Sequence, residues 1–116
     1  AAALCEAVAP LGLAYLHIMR SPLADLDAFA LARRHSPHAL ILNDGFDGLS
    51  ASAALASGEG AAVSFGRHFI ANPDLVERLK RGLPLSGFDR KTLYTPGPAG
   101  YSDYSAYQAI AQEVAQ

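Results

Sequence analysis

Three short, nearly unbroken apolar runs recur along the chain, at residues 13–18 (LAYLHI), 39–42 (ALIL) and 61–65 (AAVSF). Each predicts a strand: the first has the look of one buried on both faces, the second of another buried strand, and the third of a short apolar strand. Helical patterns separate them. Residues 1–9 are alanine-rich and stopped by Pro10-Leu11-Gly12. Residues 23–35 carry Leu23, Leu26, Phe29, Ala30 and Leu31 at roughly helical spacing and end in Arg33-Arg34-His35, which suits a helix C-terminus. Residues 49–57 predict a third helix with Ser50 as an early cap, closed by Gly58 and Gly60.

Strand, loop and helix thus alternate three times, which predicts an α/β fold with a parallel sheet and right-handed crossovers. Three strands would leave two open edges and one uncovered face, so the arrangement makes more sense as part of a larger one. After the third strand the chain breaks at Gly66-Arg67 and resumes briefly as helix. It pauses at Asn72-Pro73, then runs on as an amphipathic helix capped by Asn72 and ending at Arg81-Gly82. Residues 83–100 read as an ordered loop rich in Pro and Gly. A last helix is predicted over 105–115, with Tyr107, Ile110, Ala111 and Val114 on one face.

Composition narrows the function. With 51% hydrophobic and 17% charged residues in 116, the chain is a globular domain and not a disordered one. A formal charge of −2 argues against nucleic acid and anionic membranes as partners, and no apolar run approaches a bilayer span of about 20 residues. The single cysteine, Cys5, rules out an internal disulfide framework; it fits a reducing compartment, the cytoplasm, and is expected to be inert. The opening AAALCE has neither an initiator methionine nor a basic n-region, so the chain is expected to be a fragment.

No catalytic site and no metal site is legible. His17, His35, His38 and His68 are scattered without ligand spacing, and no dinucleotide or Walker fingerprint is present. What remains is an anion site contributed by two adjacent βα loops, Asn43-Asp44-Gly45 and Gly66-Arg67. Glycine lets the backbone approach, a helix start offers N–H donors, and the guanidinium supplies a charged fork. In a (β/α)8 barrel the loops after the last two strands build such a phosphate site. The plainer alternative stays open: both glycines only turn corners and Arg67 pairs with Asp44. His17 and His68 are expected to pack or hydrogen-bond, Tyr101 and Tyr104 to fasten the tail, and Arg33-Arg34 and Arg78-Lys80-Arg81 to be solvated helix ends.

SFGRHFIANPDLVERLKRGLPL, followed by KTLYTPGPAGYSDY, resembles the C-terminal signature of the Old Yellow Enzyme family of FMN-dependent NAD(P)H oxidoreductases, the ene-reductases. AYLH and LILNDGF fit that family's sixth and seventh barrel strands, so the resemblance extends to Tyr104. It implies the C-terminal portion of a TIM (β/α)8 barrel over residues 1–104, with 105–116 as a helical tail. It also implies FMN as cofactor, NAD(P)H as reductant and an activated alkene or similar small electrophile as substrate. Asp44 and Gly45 match backbone positions that hold the FMN phosphate. Gly66 and Arg67 match a pair on the same phosphate, with Arg67 near the flavin edge. Leu93 and Tyr94 match an aromatic pair beside the flavin and substrate pocket, and Phe46 packs beneath the phosphate loop.

Two positions depart from the family pattern. Asp44 stands where many relatives have glycine, and Leu93 replaces an aromatic. The family's substrate-anchoring pair and proton-donating Tyr lie on earlier strands, so the isolated chain is expected to be inactive. Two alternatives accompany this reading. One is another phosphate-binding barrel enzyme, such as a sugar-phosphate aldolase or isomerase. The other is a non-catalytic half-barrel that self-associates through its open edges.

Overall fold

The computed structural model describes residues 2–107. Its elements follow in the order α1 (Ala2–Val8), a 3-10 turn (Ala9–Leu11), β1 (Tyr15–Met19), α2 (Ala28–His35), β2 (Ala39–Asn43), α3 (Gly48–Ala56), β3 (Ala62–Ser64), α4 (Arg67–Ala71) and α5 (Leu75–Arg81). The chain divides into two compact units, Ala1–Ser64 and Phe65–Gln116. Among the described residues no helix is long and apolar enough to cross a membrane.

The first unit is an α/β layer. Its three strands lie in chain order and are all parallel, as the alternating pattern predicts. The register sets Met19 opposite Asn43 and Asn43 opposite Ser64, so the three strands end level. Because side chains alternate, Leu16, Ile18, Leu40, Leu42 and Val63 share one face, and Tyr15, His17, Met19, Ile41, Asn43 and Ser64 share the other. The helices pack on the first face. Leu40 and Leu42 are buried there, along with Phe29 and Ala32 of α2 and Ala51 and Ala54 of α3. Gly60 is part of this fit, since a Cβ there would stand 2.7 Å from Leu42 Cγ.

Burial on both faces, expected of the first strand, does not hold. In β1, Tyr15, His17 and Met19 are exposed and only half-burial reaches Leu16 and Ile18. Short apolar runs alone do not distinguish a sheet with helices on one side from one covered twice. The expected helix over 23–35 also starts late, at Ala28. Leu23 to Leu26 form a turn, and Asp27 then caps the helix by accepting the Ala30 N–H at 3.0 Å. In α3 the cap is Asp47 and not Ser50. The two form a reciprocal box in which Ser50 N–H donates to Asp47 Oδ1 at 2.8 Å and Asp47 N–H to Ser50 Oγ at 2.9 Å. Helix α1 is tied to the α2 end by His35 Nδ1 against Glu6 Oε1 at 2.8 Å and by His38 Nε2 donating to the Val8 carbonyl at 3.1 Å. Cys5 is buried.

The second unit is organised by two buried polar side chains. Asn72 does not cap α5, which begins at Leu75. Its amide is instead turned to the following loop, accepting the Ser86 N–H at 2.7 Å and donating to the carbonyls of His68 (2.8 Å) and Ser86 (3.2 Å). Arg78 is not a solvated helix end either. It is 2% exposed, donates to Asp74 Oδ1 at 2.8 Å and also to Pro84 O, Ser86 Oγ and Ser105 O, and lies 5.3 Å from the Tyr107 ring centre. The pair with Asp74 has (i, i+4) spacing, but the loop carbonyls that complete the fork lie far along the chain. Residues 83–89 have no regular structure and 90–102 are successive turns. Tyr104 fastens this loop, its hydroxyl accepting the Asp89 N–H at 3.1 Å, whereas Tyr101 is exposed. Residues 103–107 are irregular, and most of the helix expected over 105–115 lies outside the described residues.

Replacing Arg78 by Met would strand loop carbonyls and a carboxylate, and is expected to cost about 2–4 kcal/mol in urea denaturation. Lys at the same site should recover less than half, because it lacks the planar fork. Asp74 is held below its ordinary value of 3.8, chiefly by the Tyr107 N–H it accepts; burial opposes this and Arg78 adds to the lowering. A carboxyl lowered in the folded state stabilises it fully above 3.8, and that contribution disappears as pH falls through the folded value. Acid titration of unfolding should therefore be shallower for Asp74→Asn than for the native chain.

Candidate functional site

At the C-terminal end of β2 the chain turns through Asp44 and Gly45, both left-handed, with φ of 83° and 77°. For Gly45 this is ordinary. For Asp44 it is uncommon, and an L-residue there carries roughly 1 kcal/mol of strain. The turn is held from β1. Arg20, the first residue after that strand, donates its N–H to the Asn43 carbonyl at 2.9 Å and its Nε–H to the Asp44 carbonyl at 3.0 Å. Its guanidinium carbon stands 4.9 Å from the ring centres of both Phe29 and Phe46, which stack on each other at 5.9 Å. Phe46, expected beneath the phosphate loop, is buried in this clasp.

Beside the turn, the open face of the sheet carries a polar triad. Asn43 Nδ2 donates to Ser64 Oγ at 2.8 Å and to Ser64 O at 3.1 Å, and His17 Nε2 shares a 2.7 Å hydrogen bond with Ser64 Oγ. His17 thus has the hydrogen-bonded role expected of it. Sequence reading missed the triad and Arg20 together. Only the parallel register brings 17, 43 and 64 onto one face, and Arg20 in an Arg-Ser-Pro loop carries no signal of its own.

In the second unit, Gly66 caps α4, and its carbonyl accepts the N–H groups of Phe69 and Ile70, each at 3.0 Å. Its φ of −105° is one any residue adopts, and a Cβ there would meet no heavy atom within 4 Å. Neither conformation nor packing among the described residues therefore requires glycine. The Arg67 guanidinium carbon lies 5.5 Å from the Phe88 ring centre. His68 packs edge-on against Phe65 and Phe88, its Nδ1 buried with no hydrogen-bond partner among the described residues. Leu93 is 2% exposed and Tyr94 is 78% exposed, so this adjacent pair divides between interior and surface. Asp44 and Gly45 are thus brought against Arg20 in one unit, while Gly66, Arg67, Leu93 and Tyr94 belong to the other.

No protein-family model matches the chain. It is 41% identical over 96 residues to a protein of Leishmania infantum named "Probable flavin mononucleotide-dependent alkene reductase", covering 79% of this chain and 26% of that protein. Among solved structures it resembles the old yellow enzyme from Trypanosoma cruzi, with a TM-score of 0.84 and 38% identity over 91% of this chain and 29% of that one. It also resembles morphinone reductase in complex with tetrahydroNAD, with a TM-score of 0.78 and 34% identity over 94% of this chain and 30% of that one. The chain therefore spans less than a third of the length of these relatives.

Two substitutions in the Asp44–Gly45 turn should move stability in opposite directions. Asp44→Gly relieves the left-handed strain and is expected to stabilise by about 0.5–1 kcal/mol. Gly45→Ala adds strain and a Cβ 3.0 Å from Arg20 Nε, and should cost about 1–2 kcal/mol. Thermal unfolding of the two variants checks both signs.

Proposed function

The chain belongs to the Old Yellow Enzyme family, and from that premise we propose that it supplies the FMN-phosphate portion of an NAD(P)H-dependent ene-reductase. Residues 1–104 are read as the last three βα units of a (β/α)8 barrel and 105–116 as its tail. The observation that carries this reading is Gly66. Its φ does not require glycine and a Cβ there would meet nothing within 4 Å; besides capping α4, a glycine at this position leaves room for the close approach of another group, and it directly precedes Arg67.

The residues fit a phosphate. The Asp44–Gly45 turn offers backbone N–H donors, Gly66 admits a close approach, and Arg67 supplies a permanent positive charge. FMN, when bound, supplies hydride transfer from a nicotinamide to an activated alkene. The chain's own part would be to hold the cofactor by its phosphate. Tyr94, being exposed, is available to donate a hydrogen bond to a carbonyl-bearing substrate. Leu93 serves as apolar backing behind it. None of these groups moves a proton or hydride itself, so no catalytic residue is assigned within the chain.

Partners follow from the same reading. The β1 edge has no strand beside it among the described residues, and Tyr15 and Met19 expose apolar surface on the uncovered face. Such a face favours association with further strands or with a second copy. Light scattering should show the 116-residue chain above its monomer mass of 12.2 kDa at micromolar concentration, and Met19→Lys should shift it back towards monomer.

FMN titration followed by flavin fluorescence tests the cofactor site. Saturable binding should weaken about ten- to a hundredfold in Arg67→Ala. Gly66→Ala should weaken it comparably, since its Cβ meets no heavy atom within 4 Å, and thermal unfolding of the same variant separates this loss from the weaker capping of α4. Undiminished binding in both variants would refute the phosphate assignment.

A further inference from the structure

Arg20 lies outside every residue matched to the cofactor, yet its contacts reach the two successive peptides of the turn that the phosphate reading most needs. Its Nε–H donates to the Asp44 carbonyl at 3.0 Å, and its backbone N–H donates to the preceding carbonyl, Asn43, at 2.9 Å. A peptide unit is planar and trans, so the carbonyl of Asp44 and the N–H of Gly45 point in opposite directions. Whatever fixes the carbonyl fixes the aim of the N–H. Arg20 pulls the carbonyl towards itself, which directs the Gly45 N–H away from Arg20. A charged donor on the carbonyl also polarises that N–H and makes it a better donor.

The lever itself lies against two rings. Phe29 and Phe46, both buried, hold the guanidinium carbon at equal distances of 4.9 Å. The peptide also needs holding, because Asp44 at φ 83° would relax into an ordinary conformation if released. We propose that Arg20 is a positioning residue for phosphate binding: it orients and polarises the Asp44–Gly45 peptide so that the Gly45 N–H meets the anion. This rests on the FMN-phosphate reading above.

The test titrates the full chain and its Arg20→Met and Arg20→Lys variants with FMN and with riboflavin, which has the same ring and ribityl chain but no phosphate. The native chain should prefer FMN. Arg20→Met should lower FMN affinity about ten- to a hundredfold, the range for loss of a charged hydrogen bond, and leave riboflavin affinity nearly unchanged. Arg20→Lys keeps a cation by the two rings without the fixed Nε, and should fall between; it decides the matter if the Met variant does not fold. An unchanged FMN-to-riboflavin ratio in the variant overturns the inference, and so does an equal weakening of both ligands, which would mark Arg20 as merely structural. A native chain without preference for FMN would overturn the phosphate reading itself, and this inference with it.

Discussion

The register of β2 with its two neighbours is the constraint on which the first unit depends. By setting Met19, Asn43 and Ser64 level, it delivers the residues that follow β1 and β2 to the same height. Arg20 can then reach the Asp44 carbonyl, and His17, Asn43 and Ser64 can share hydrogen bonds on one face. A slip of one residue would turn Leu40 and Leu42 out of the helix-covered layer and the polar triad into it. The apolar layer and the polar face therefore enforce the same alignment.

The second unit solves a different problem. It has little regular structure beyond two short helices, and its long loop cannot satisfy its backbone by a ladder. Buried side chains take over that task. Asn72 acts as a surrogate peptide for Ser86, and Arg78 gathers carbonyls from residues 84 and 105. The motif that carries the family resemblance is thus in large part a fold requirement: Asn72, Asp74, Leu75 and Arg78 hold the loop.

The two departures from the family pattern acquire a physical meaning. The backbone at position 44 is left-handed, a conformation that favours glycine, and aspartate occupies it at the cost of strain. The Arg20 clasp is a reason why that strain can be carried. Leu93 is buried, so the leucine at this position serves the interior.

The alternation of three apolar runs with helical segments determined the parallel α/β layer, and the glycine-arginine and Asn-Pro-Asp motifs determined the family. Both are signals of local periodicity and spacing, which the chain carries in itself. Tertiary structure alone decided the rest. One-sided burial of the sheet depends on which face the helices meet, and apolar content does not record that. Helix starts at Ala28 and Leu75 depend on whether a polar side chain caps its own helix or serves a distant loop. Arg20 and Arg78 look in sequence like any loop arginine or helix-end arginine. Their roles arise because folding places carbonyls from remote positions within reach of a guanidinium, and no spacing along the chain encodes that distance.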